Sequence, residues 1–106
     1  MPQKIYGVDP SKEITAIMAR DAIIECFYQA HCLESRAGGE NKEFNRSYCR
    51  TVVKKAFEDA GGDFNNPDKK SIVGAMDYLA DFFKSFRRQE IIKEHYNEIM
   101  SLVNKL

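Results

Sequence analysis

The sequence predicts an all-α fold: a four-helix, bundle-like single domain over 1–106 with a long first helix. Three observations carry that expectation. Apolar residues recur at helical spacing through most of the chain. Gly and Pro fall only at a few punctuation points, and no sustained period-2 alternation marks a strand. A short lead-in over 1–8, with Lys4-Ile5-Tyr6-Gly7-Val8, is the one stretch that reads as extended.

The first helix is expected to start at Asp9-Pro10, with Asp9 as cap and Pro10 at the first helical position, where its missing N–H costs nothing. Apolar residues then recur at Ile14, Ile17, Met18, Ile24, Phe27, Tyr28 and Leu33, and Ala37-Gly38-Gly39 ends the run. From there, about 26 helical residues would span ~39 Å. Asn41 reads as the cap of a second helix with an apolar stripe of Phe44, Tyr48, Val52, Ala56 and Ala60, stopped at Gly61-Gly62. Asn66-Pro67 repeats the cap-then-proline start for a third helix, with Ile72, Met76, Leu79, Phe83 and Phe86 on one face. Arg87-Arg88-Gln89 interrupts the pattern softly. The fourth helix carries Ile92, Tyr96, Ile99, Val103 and Leu106.

Sixteen Lys and Arg balance sixteen Asp and Glu, so the net charge is zero with His neutral. That removes any whole-molecule attraction to nucleic acid or to an anionic membrane. Unbroken apolar runs of at most four residues are far short of the ~20 that span a bilayer. Cys26, Cys32 and Cys49 cannot close as a full set of internal pairs, and no basic-then-apolar signal segment opens the chain. The expected compartment is therefore a reducing cytoplasm.

Motifs that would carry chemistry fail at their defining positions. Asp63-Phe64-Asn65-Asn66-Pro67-Asp68 starts like a calcium loop, but Asp68 stands where the sharp turn needs Gly and Gly74 where the bidentate Glu belongs. Turn chemistry accounts better for these Asn and Asp residues. Lys70-Ser71 ends like a phosphate-binding loop, but Lys69 replaces its Gly. The Glu-x-x-His pairs of di-metal bundles are missing, since Tyr28 precedes His31 by three and Ile92 precedes His95 by three. No nucleophile elbow appears, and no catalytic residue or cofactor is assigned. Cys26, His31 and Cys32 are the weak candidates for a soft metal or a thiol site; adjacent His31 and Cys32 point about 100° apart on a helix. His95, amid Ile91, Ile92, Ile99 and Leu102, reads as a hydrogen-bonded core histidine.

Two patterns bear on function. Lys42, Arg46, Arg50 and Lys54 form a basic stripe on the second helix, while Glu90, Glu94 and Glu98 form an acidic one on the fourth. Asp77 and Asp81 add a shorter acidic stripe on the third. Either the stripes compensate one another across the bundle, or the basic one contacts nucleic-acid phosphates. The middle of the first helix is apolar around most of its circumference, with a polar line of Asp21, Glu25 and Gln29. Such a helix sits at the centre of its own bundle or presents one side to another chain. The expected function is a small non-enzymatic helical interaction module that self-associates or binds another helical protein. Ile23, Phe27 and Ala30 would form the two-fold contact, and Ile14, Ile17, Ile24 and Tyr28 would face the chain's own core. The alternatives are nucleic-acid binding through the second helix and the Cys/His site.

Overall fold

A computed structural model describes residues 6–9, 11–34, 42–85 and 89–106, with side chains over 6–9, 11–31, 46–84 and 93–106. Its elements are α1 (Ala16–Glu34), α2 (Lys42–Asp59), α3 (Lys69–Ser85) and α4 (Gln89–Val103). The all-α expectation holds: among the described residues there is no β-strand. The radius of gyration of 13.1 Å matches the ~13 Å of a compact chain this long.

α1 begins six residues later than the Asp9 start predicts and has 19 residues. Asp9 spends its carboxylate on a turn instead: Oδ1 accepts from the Ser11 amide at 2.9 Å and the Ser11 hydroxyl at 2.6 Å. An Asx turn competes with helix entry for the same oxygen. The working cap is Thr15, whose Oγ1 accepts from the Met18 amide at 3.2 Å. The lead-in is not extended where it is described, because Tyr6 and Gly7 have φ of 49° and 83° and form a turn. Pro10, Ala37-Gly38-Gly39 and Asn41 lie outside the described residues.

α2 stops as expected at Gly61-Gly62. Gly61, at φ 79°, donates to Glu58 O at 3.0 Å, and Gly62 donates to Phe57 O at 2.9 Å. This Schellman pair ties up carbonyls that the helix end leaves open. Gly62 is required for another reason: a Cβ there would stand 2.3 Å from Ser71 Cβ. The predicted apolar stripe of α2 is out of phase. Tyr48 is 45% exposed and Ala60 is exposed, whereas Cys49, Val53, Ala56 and Phe57 are buried. A strict spacing of four drifts about 40° per step, so the inward face mixes threes and fours. Phe44 lies outside the described side chains.

The start of α3 also shifts. Its cap is Asp68, not Asn66: Oδ1 accepts from the Ser71 amide at 2.7 Å, and Ser71 Oγ accepts from the Asp68 amide at 3.0 Å. This reciprocal box leaves Pro67 outside the helix, just before the cap. The Asn residues belong to the turn, where Asp63 Oδ1 accepts from the Asn65 amide at 2.9 Å. Ile72, Met76, Leu79 and Phe83 are buried as predicted, and so are Ile99 and Val103 on α4. Phe86, Arg87 and Arg88 lie outside the described residues, and α4 already includes Gln89.

α1 packs against all three other helices, while among the described residues α2 and α4 do not meet. Ala19, Ala22, Ile23, Cys26, Phe27 and Ala30 are all buried inside the chain. This overturns the two-fold contact assigned to Ile23, Phe27 and Ala30. Phe27 meets Phe82 and Phe83 of α3 edge-on, at centroid distances of 5.9 and 5.8 Å. The physical reason is that three helical neighbours consume the broad apolar sector of α1 without help from a second chain. Of the sector expected to face the core, Ile24 and Tyr28 are buried, Ile14 is half-buried and Ile17 is exposed.

Two outcomes check this packing. Phe27→Asp places an unpaired carboxylate among aromatic rings and should abolish the cooperative thermal transition rather than yield a folded variant. The Asp68 carboxyl is held below its usual range, chiefly by the Ser71 amide and then its hydroxyl. Its folded value lies below its unfolded value, so its contribution is full above about pH 4 and fades as pH falls through the folded value. Asp68→Ala should therefore destabilise at pH 7 and much less at pH 2, measured by urea titration.

Candidate functional site

Two groups of polar side chains collect on the helical frame. The first lies where the N-terminal turn meets α1 and α4. The Tyr6 hydroxyl sits 2.5 Å from His95 Nδ1, with the donor set by the imidazole tautomer, and 3.4 Å from His95 O. The two rings lie tilted with centroids 5.8 Å apart. From α1, the Cys26 thiol donates to the same carbonyl at 3.5 Å. His95 is thus hydrogen-bonded, as expected, but half-buried rather than in the core. Burial pushes the Cys26 thiol up to about 12, against a lowering hydrogen bond from Tyr6 and with a raising charge from Glu98. Burial also raises the Tyr6 phenol, with Cys26 and Glu98 adding to it. Near neutral pH both groups stay protonated, so the thiol is a packing and hydrogen-bonding group rather than a nucleophile.

The second group ties α2 to α1 and to the loop before α3. Arg46 forms an ion pair with Glu25 at 2.5 Å and lies 4.1 Å over the Tyr28 ring. Arg50 lies 5.1 Å over Phe64, beside Arg20 at 4.8 Å from the same ring. Arg20 also donates to Phe64 O at 2.8 Å and pairs with Asp21. The basic stripe is thus partly used within the chain, and the carboxylates beside it come from the polar line of α1 rather than from α3 or α4. Lys54 is exposed, and the Lys42 side chain lies outside the described residues.

Of the candidate metal residues, Cys26 and His31 do not come together. Cys26 turns toward α4, while His31 stacks on Tyr48 at 5.3 Å between ring centroids. Cys32 lies outside the described side chains. Among the described residues no three His, Cys, Asp or Glu gather as a metal ion would need, and no helix is long and apolar enough to cross a membrane. Sequence reasoning missed Tyr6, whose role depends on a turn that brings together residues 89 positions apart. Neither a protein-family model, nor a curated protein, nor a solved structure matches this chain.

The Glu25–Arg46 pair is partly open to water, with side chains 28% and 51% exposed. A double-mutant cycle on Glu25→Gln and Arg46→Gln should give a coupling of about 0.2–1 kcal/mol, falling with added salt.

Proposed function

We propose that this chain is a small helical interaction module that self-associates, in a binding rather than a catalytic role. The observation that supports it is the placement of the charge stripes. Among the described residues α2 and α4 make no contact, because α1 and α3 lie between them. Arg50 and Lys54 on α2, and Glu94 and Glu98 on α4, are all exposed. Within one chain these four side chains stay apart, but a second copy offers each pair its complement. Both stripes advance by four residues, about 6 Å along a helix, so their charges match in spacing. Exposed pairs of this kind contribute little each, so the association is weak and salt-sensitive, steered by charge.

A nucleic-acid reading rests on the same Arg50 and Lys54. It is the weaker one, because Arg46 and Arg50 already lean on rings of the chain and the net charge is zero.

Sedimentation velocity at low salt separates the two readings. The wild type should dimerise at high micromolar concentration and dissociate in 0.5 M salt. Arg50→Glu/Lys54→Glu and Glu94→Lys/Glu98→Lys should each be monomeric alone and associate when mixed. Under the nucleic-acid reading, Glu94→Lys/Glu98→Lys would instead strengthen retention on heparin. A wild type that stays monomeric at low salt refutes self-association.

A further inference from the structure

The N-terminal turn combines a strained residue with a polar latch. Tyr6, at φ 49°, is the only non-glycine with positive φ among the described residues. The left-handed region is unfavourable for an L-residue with a bulky side chain, so the turn persists only because something holds it. Among the described residues, the Tyr6 side chain holds it on His95, through the hydroxyl contacts to Nδ1 and to the carbonyl. Next comes Gly7, at φ 83° with open space where a Cβ would stand, and then Val8, which is buried. Latch, pivot and anchor therefore follow one another in three residues. Beneath the latch, Cys26 is 1% exposed and donates to the same His95 carbonyl.

We propose that the N-terminal turn is a strap that opens about Gly7 when Tyr6 leaves His95, uncovering the α1–α4 seam and the Cys26 thiol while the four helices stay folded. Strain and latch oppose each other: release lets Tyr6 return to an ordinary backbone conformation, which favours a populated open state below global unfolding. The strap shares Glu98 with the acidic stripe, since that carboxylate lies near Tyr6 and Cys26, but its test changes only Tyr6 and leaves Arg50, Lys54, Glu94 and Glu98 in place.

Iodoacetamide on the full chain reports opening at Cys26. The thiolate sulfur forms a bond to the reagent's carbon, iodide leaves, and the thiol proton goes to solvent. Peptide mapping by mass spectrometry follows Cys26 separately from Cys32 and Cys49. In the wild type the Cys26 rate should be nearly independent of urea below the unfolding transition. Tyr6→Phe keeps the ring and removes the hydroxyl; it should raise the rate about tenfold, the loss of one hydrogen bond, with the far-UV circular dichroism unchanged. The Tyr6 hydrogen bond lowers the thiol's pKa, so losing it would by itself slow the chemistry, and an acceleration reads opening. A Cys26 rate unchanged by Tyr6→Phe, or one that climbs with urea at the slope of global unfolding, overturns the strap.

Discussion

The burial of α1 on three sides is the constraint on which the rest of the structure depends. A helix whose middle turns are Ala22-Ile23-Ile24, Cys26-Phe27-Tyr28 and Ala30 has no large face that water can wet cheaply. α2, α3 and α4 are each positioned by the part of this surface they cover. Small residues at Ala19, Ala22 and Ala30, all fully buried, allow close approach. Phe27 fills the space toward α3, where Phe82 and Phe83 meet it edge-on rather than stacked. Because α1 and α3 meet across the middle, α2 and α4 are kept apart, and the separation of their charges follows from the core rather than from the surface.

What the sequence made legible was what local chemistry determines. The Gly61-Gly62 stop was readable because only glycine enters the left-handed conformation without strain. The inward face of α3 was readable because Ile72, Met76, Leu79 and Phe83 alternate threes and fours, as a helix does. Errors arose where two local options compete for one group. Asp9 and Asp68 both precede or follow a proline, yet Asp9 closes a turn with Ser11 and Asp68 caps a helix with Ser71. The distinction lies in whether the next residues can pack, which is a tertiary property. The phase of α2 was misread for a related reason, since Tyr48 suits either a buried or a half-exposed position.

The site was less legible than the fold. Tyr6 and His95 come together only once α4 lies against α1 and the N-terminal turn folds back over their seam. No spacing rule spans such a distance. Neither did the pairing of Glu25 with Arg46 follow from either stripe by itself, because it depends on which flank of α2 leans on α1. The apolar breadth of α1 was read correctly, and only its occupant was misassigned: neighbouring helices of the same chain cover Ile23, Phe27 and Ala30.

Ser71 does two jobs at one corner. Its hydroxyl and amide complete the Asp68 box, and its Cβ abuts the backbone of Gly62. The chain just after α2 and the first turn of α3 are therefore cut to fit each other, with no room for a side chain at Gly62. A corner this tight acts as a ruler for the chain. Lengthening either helix by one residue would rotate its inward face by about 100° and pull Ser71 out of register with Gly62. Among the junctions described, this one sets the register of the second half of the fold against the first, and engineered insertions belong elsewhere.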